Sequence, residues 1–580
     1  MIDVRSQVKD AAAATRKTAN KISEQYALRT APLILELDLT EPLAQGPRAD
    51  PLVAITQWRR TRVLDVLDGL RKASQDDRVK TLVAKVGLAH MGFARAQELR
   101  DAVQAFRAAG KPAVAWAETF GEWGPGTVPY YLATAFDEIW LQPIGDVTFN
   151  GLAVGTTFLR EAFDKLNIEP EFGQRHEYKN AADVLMRSKY TDAHREAVQQ
   201  VASSVFDEMI SAVAQVRRLS NDQVRELVDR APISAADALA AGLVDRLGYR
   251  DEVYAEVRSR AGDEAHLQYV ARYLHPGGPL PRPKLARPEH RLALIWGVGP
   301  IVQGRSSGRR PSFGPRMGSD TVAAAFRAAV RDETVQAIVF VVNSPGGSAV
   351  ASDAIWREVA LARKAGKPVI ASMGDVAGSG GYYVAMAADS IVAEPSTITG
   401  SIGAVSGKLV TDGLWNRLGL TYDSVAFGTT ARMFSSRSPY SPVERAALDR
   451  WLDRLYDGFV DKVAESRGMS RDDVHAVAKG RIWTGADAKD RGLVDVLGGF
   501  HRAVELAKEK AGIPGTAEVK LVDYPRLRPI DRVLPPQSSE DAGAALASGW
   551  GSFAGLAAHL GLPVAGPLTM SWTPPLPFSC

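Results

Sequence analysis

The feature that most constrains this chain is that it repeats itself. "RAAGKPAVAW" (Arg107–Trp116) returns as "RKAGKPVIAS" (Arg363–Ser372), and "YYLATAFDEIWLQP" (Tyr130–Pro143) as "YYVAMAADSIVAEP" (Tyr382–Pro395). "ADALAAGLVDRLGYRDEV" (Ala236–Val253) returns as "ADAKDRGLVDVLGGFHRAV" (Ala486–Val504). The offsets are 363 − 107 = 256, 382 − 130 = 252 and 486 − 236 = 250, so the copies differ by small insertions and deletions. One folding unit is used twice, and 580 residues is in any case too long for a single ordinary core. The first copy is placed at 32–272 and the second at 291–525, joined by a stiff proline-rich linker at 273–290 that contains "HPGGPLPRPKLARPEH". A polar extension at 1–31 precedes them and a low-charge tail at 526–580 follows.

Each copy alternates apolar runs with amphipathic segments. In the second, "LALIWGV", "VQAIVFVV" and "KPVIASM" predict buried strands. "DAIWREVALARKA" predicts a helix with Ala354, Ile355, Val359 and Ala360 on one face, and "GYYVAMAADS" predicts another. Strand–helix alternation implies an α/β fold with a largely parallel sheet.

Composition removes several function classes. The net charge is only +3, and the basic stretch "GRSSGRRPSFGPR" (Gly304–Arg316) reads as a solvated loop, so nucleic acid is not expected as a partner. The single cysteine, Cys580, excludes a disulfide scaffold or a cysteine metal site. The N-terminal segment has no apolar core of the kind a signal peptide or membrane span needs. From Ala542 to Cys580 there is no Asp, Glu, Lys or Arg, but Gly561, Pro563 and Pro567 interrupt the apolar stretch. The tail is therefore expected to dock on the protein, with peripheral contact to a membrane surface as the alternative. The expected location is cytoplasmic or peripheral at the cell membrane.

The two copies have kept different chemistry. After a strand, the second carries "VNSPGGS" (Val342–Ser348), a turn whose Gly346 and Gly347 let backbone N–H groups approach a ligand. It then carries Ser379 in "GSGGYYVA". The first copy has "VGLAHMG" in place of the turn and Thr127 in place of the serine. Conversely, Lys179 in "HEYKNAADVLMR" maps onto Thr429–Ala431 of the second copy, beside Arg432, and a guanidinium does not give up a proton at accessible pH. A serine in one copy and a lysine in the other, with their counterparts lost, predict one composite site. His176, three residues before Lys179, is the rival base and is read as a surface or loop residue without a catalytic role.

"VNSPGGS", "GSGGYYVA" and "TGSIGAV" in the second copy, with "YKNAAD" in the first, resemble the long tandem-repeat form of the signal peptide peptidase (SppA, protease IV) family, over roughly Pro32 to Tyr524. The resemblance implies two tandem copies of a ClpP/crotonase-like fold packed together, and a serine protease with Ser379 as nucleophile and Lys179 as general base. It implies Ser401 as the hydroxyl that orients the lysine. The oxyanion hole would use the N–H groups of Gly380 and of Gly347 or Gly346, with Gly347 preferred. Substrates would be signal-peptide remnants and other unfolded apolar peptides, the assembly a homotetramer, and no cofactor or metal is implied. A lysine base must be neutral near pH 7, so Lys179 is expected to be desolvated, with Glu177 and Asp183 pointing elsewhere. The sequence departs from the family in showing no readable N-terminal membrane anchor. Two other readings of the residues are an acyl-CoA enzyme of the crotonase type and a non-catalytic scaffold that binds apolar peptides.

Overall fold

The computed structural model describes residues 31–46, 61–87, 91–122, 124–274, 290–306, 315–525 and 578–579. Nearly all of the polar N-terminal extension and of the proline-rich linker, the centre of the basic stretch and almost all of the tail lie outside the described residues.

The described residues fall into two compact units. One comprises those within Met1–Leu152 and Met209–Arg287, the other those within Ala153–Glu208 and Pro288–Ser579. This division departs from the repeat boundaries. The stretch 153–208 belongs by sequence to the first copy, yet it is part of the unit built mainly from the second.

In the first unit six parallel strands run in the order His266–Tyr269, Leu33–Leu39, Val79–Val86, Ala113–Ala117, Glu138–Leu141, Arg246–Leu247. In the second the corresponding order is Val519–Tyr524, His290–Val298, Val335–Ser344, Val369–Gly378, Ser390–Ala393, Val496–Leu497, again parallel. The central strands are buried on both faces, which is why they read as continuous apolar runs rather than alternating ones. Phe326 and Phe340 meet edge to face in the core of the second unit.

The repeat extends to individual side chains. Tyr130 donates from its hydroxyl to the Leu243 carbonyl (2.8 Å), and Tyr382 does the same to Leu493 (3.0 Å). Arg217 pairs with Asp245 and Arg467 with Asp495; Arg107 pairs with Asp137 and Arg363 with Asp389. Both copies carry a 26-residue helix, Asp192–Arg217 and Pro442–Arg467. The second is delimited locally: Ser441 and Glu444 form a capping box, Pro442 opens the first turn, and Gly468 closes the helix in the left-handed conformation.

The helix predicted over "GYYVAMAADS" is shorter than its pattern suggests, spanning Gly380–Ala385. Asp389 accepts the Val369 N–H through its carboxylate (2.8 Å), and the chain enters the next strand at Ser390. A short apolar run does not by itself distinguish helix from strand.

One irregularity of the second sheet positions the site. Val369–Gly378 pairs with Ser390–Ala393 along its first half, then with Ile398–Gly400 at its end. The sheet forks there, at the carboxyl ends of its strands, where open α/β sheets bind ligands. The first-copy strand Glu169–Gln174 joins this unit by antiparallel pairing with Val405–Val410. Gly173 sits against Leu452 and Leu448 of the long helix. Arg175 pairs with Asp453 and Asp449, and its N–H donates to the Ala404 carbonyl (2.9 Å).

Candidate active site

Ser379 sits half-buried where the strand Val369–Gly378 gives way to the helix Gly380–Ala385. Its backbone has φ 53° and ψ −118°, a conformation that an L side chain rarely adopts. Such strain costs about 1–3 kcal/mol and persists only where surrounding contacts impose it. Here the Ser379 N–H donates to the Gly400 carbonyl (2.8 Å), and the Ser379 carbonyl accepts from the Tyr383 N–H (2.9 Å). Ser401 is strained likewise, at φ 54°, with its N–H bonded to the Arg481 carbonyl (2.7 Å).

Lys179 lies just past the strand Glu169–Gln174 and is 4% exposed. Its Nζ is 2.9 Å from Ser379 Oγ, 3.0 Å from Ser401 Oγ and 2.7 Å from the Ser401 carbonyl oxygen. A neutral amine has two N–H donors and one lone pair. In that form the two Ser401 oxygens would take the donors and the Ser379 hydroxyl would donate to the lone pair, whereas the ammonium donates to all three oxygens. Burial lowers the amine from its usual 10.5 to about 7. Glu177 faces Lys479 (3.7 Å), and Asp183 accepts from Asn180 (2.9 Å), so neither nearby carboxylate restores the charge.

The glycine turn lies beside the serine. Gly346 has φ 106°, and a Cβ there would stand 2.8 Å from Gly380 N and 2.9 Å from Ser379 Cβ. The Gly346 N–H donates to Ser344 Oγ (3.2 Å). A Cβ built on Gly380 would lie 3.1 Å from Gly347 N, so the amides of Gly347 and Gly380 are neighbours. Of the two turn glycines, Gly346 is thus the one whose N–H is engaged within the turn.

His176 lies in the loop that follows the strand Glu169–Gln174. It is half-buried at φ 65°, with its ring 4.4 Å from Tyr456 and 4.9 Å from His475. In the first unit Thr127 begins the helix Thr127–Ala133, fully buried, and its hydroxyl donates to the Gly151 carbonyl (3.0 Å). The centre of that copy's glycine-turn counterpart, 88–90, lies outside the described residues. The counterpart of Lys179, Thr429–Ala431, is exposed.

Sequence reasoning missed the segment 478–481. Gly480, at φ 85°, has no room for a side chain, since a Cβ would come within 2.4 Å of Lys179 N. Gly403 is similarly apposed to the Lys179 stem, where a Cβ would stand 3.0 Å from Cδ. "AKGRIW" carries no motif, and only the arrival of a segment from the other copy gives these residues a role. Among the described residues no group of acidic, histidine or cysteine side chains is arranged to hold a metal, and no helix is long and apolar enough to cross a membrane.

Comparison with known proteins places this chain in a family. The model of peptidase family S49 matches twice, at residues 105–263 and 361–514. A chloroplastic serine protease SPPA of Arabidopsis thaliana is 32% identical over 78% of this chain and 66% of its own length. Protease 4 of Haemophilus influenzae is 30% identical over 78% of this chain and 73% of its own. Protease 4 of Salmonella typhi is 31% identical over 77% and 72%. The chain belongs to peptidase family S49 and is a serine protease.

Proposed function

We propose that the chain is an endopeptidase in which Ser379 is the nucleophile, Lys179 the general base, and Ser401 the group that orients the lysine. The observation that carries this reading is the buried, carboxylate-free Lys179 amine 2.9 Å from Ser379 Oγ. As Oγ bonds to the peptide carbonyl carbon, its proton passes to the Lys179 lone pair. The oxyanion is held by the N–H groups of Gly380 and Gly347, with Gly346 supplying the close backbone approach. The Lys179 ammonium then gives its proton to the departing amine, and water, deprotonated by the same lysine, releases the acyl group. The two Ser401 oxygens direct the amine's N–H groups away from Ser379, which keeps the lone pair on the nucleophile.

The substrates we infer are signal-peptide remnants and other unfolded apolar peptides. An extended peptide is the form that reaches a serine set at a sheet's carboxyl edge. We further propose a homo-oligomer, a tetramer by family resemblance. Support comes from the stretch after the helix Asp412–Arg417, where Leu418, Tyr422, Val425 and Phe427 are 63%, 52%, 87% and 91% exposed. Counting forward from Glu169–Gln174 by 250 to 252 lands on this stretch, and the first-copy version is a paired strand. A second copy of the chain is the natural partner for the exposed version. Peripheral contact with a membrane surface, as the alternative to docking of the low-charge tail on the protein, is part of the proposal.

The test is cleavage of an unstructured apolar peptide, with fluorophosphonate labelling, by wild type, Ser379→Ala and Lys179→Ala. Loss of both activities in both variants is expected. Cleavage at the wild-type rate by either variant refutes the dyad, and CoA-thioester turnover surviving Ser379→Ala would place the chemistry in the crotonase class. Native mass spectrometry of wild type and Phe427→Ser tests the assembly, with dissociation of the variant expected.

A further inference from the structure

We propose that Arg481 is a positioning residue for the reaction: a clamp that ties the first-copy segment carrying Lys179 to the second-copy turn carrying Ser401, and so fixes how deeply the amine is seated. The proposal rests on the dyad reading above. Its first part is in the backbone. Three consecutive residues reach both sides of the site. The Lys479 carbonyl accepts from the Tyr178 N–H (3.2 Å), the Gly480 N–H donates to the Ile402 carbonyl (2.8 Å), and the Arg481 carbonyl accepts from the Ser401 N–H (2.7 Å).

Its second part is the side chain. The guanidinium is 2.7 Å from the Glu196 carboxylate and 3.3 Å from the Tyr178 hydroxyl, which itself donates to Glu196 (2.9 Å). The same group lies over the rings of Tyr178 (4.8 Å) and Trp483 (4.5 Å). Tyr178 immediately precedes the base, and Glu196 follows it on the helix Asp192–Arg217. Arg481 therefore grips the first-copy segment on both sides of Lys179, from a residue whose own backbone holds Ser401. An ion pair to a carboxylate as exposed as Glu196 adds little to the stability of the fold. Its location gives it weight, since a small outward shift of Tyr178 carries the Lys179 amine toward water. Arginine suits the task because it pairs and stacks at once. Other charged and titratable groups against this segment are Glu177, paired with Lys479 (3.7 Å), Asp183, which accepts from Asn180 (2.9 Å) and faces His194 (3.8 Å), the His176–His475–Tyr456 cluster, and Arg491, which also lies over Trp483 (3.8 Å).

The test is the rate of fluorophosphonate labelling of Ser379 between pH ~5.5 and ~9.5, with kcat and KM for an apolar peptide measured alongside. For Arg481→Ala we expect labelling at pH ~7 to fall about fivefold, because the midpoint of the pH profile rises by about one unit as the amine becomes better hydrated. KM should change less than about twofold, since the clamp does not face the peptide. Arg481→Lys, which keeps the ion pair and loses the stacking, should recover part of the loss. Tyr178→Phe and Glu196→Gln should shift the midpoint in the same direction by less, and these mild variants carry the test if Arg481→Ala does not fold. An unchanged midpoint with only reduced amplitude in all the variants overturns the clamp, since it means a smaller folded fraction with the base seated as before. Wild-type labelling that does not depend on Lys179 overturns the dyad, and the clamp with it.

Discussion

Replacing Lys179 by methionine removes the amine and keeps a stem of similar length. The folded chain holds this amine at about 7 against 10.5 for an ordinary lysine, through burial alone. Between those values the unfolded chain carries a proton that the folded chain has lost, so raising the pH favours the folded state by about 1.4 kcal/mol per unit. Below the folded value both states are protonated, and the penalty for burying the charge is complete, at about 5 kcal/mol. Against it stand the three hydrogen bonds of the amine, worth about 1 kcal/mol each. Lys179→Met should therefore be more stable than wild type by about 2 kcal/mol near pH ~6. The two should cross near pH ~8.5, and the variant should be about 3 kcal/mol less stable above pH ~10.5. Urea unfolding at closely spaced pH values, followed by hydrogen exchange of the strand Val369–Gly378, measures the difference for the unit concerned. A stability difference that is flat from pH ~6 to ~10 would refute the reasoning, because it would mean that the folded lysine titrates as an ordinary one.

Catalysis should follow the same titration: kcat/KM rises about tenfold per unit below about pH 7 and levels above it, as stopped assays across pH will show. Ser379→Gly should abolish labelling while raising stability by about 1 kcal/mol in thermal unfolding, since glycine accepts the positive φ without strain. Gly480→Ala should lose about 2 kcal/mol and most of the peptidase activity, because the new methyl collides with the Lys179 backbone. Thr127→Ala should lose about 1 kcal/mol by removing a buried hydroxyl bond, with peptide cleavage unchanged, since the first copy's counterpart position does no chemistry.

Much of this protein is legible in its letters. Repetition and strand–helix alternation specify two α/β units, because apolar runs buried on both faces are visible without knowing what covers them. Ser379, Ser401 and the glycine turn can be read because they follow one another along one copy, each next to a strand end or turn that needs small residues. The lysine can be read from the unequal losses in the two copies. Where these pieces meet is another matter. Linear order assigns Lys179 to the first copy, yet 153–208 is built into the second unit by a strand pairing that sets Pro170 opposite Leu409, 409 − 170 = 239 residues away. Nothing local encodes a contact at that range. It arises because the strand Glu169–Gln174 pairs along Val405–Val410 and seats Gly173 on Leu448 and Leu452.

The same holds for the segment that sequence reasoning missed. Gly480 and Arg481 come beside Lys179 and Ser401 only in the folded unit. The lowered lysine is likewise a property of the assembled unit, since desolvation depends on everything around the amine and on no neighbour in the chain. Residue order was enough to propose groups for the chemistry and to divide them between two copies. Their meeting, their separation and their protonation state came from packing alone, because burial and long-range strand pairing are not local quantities.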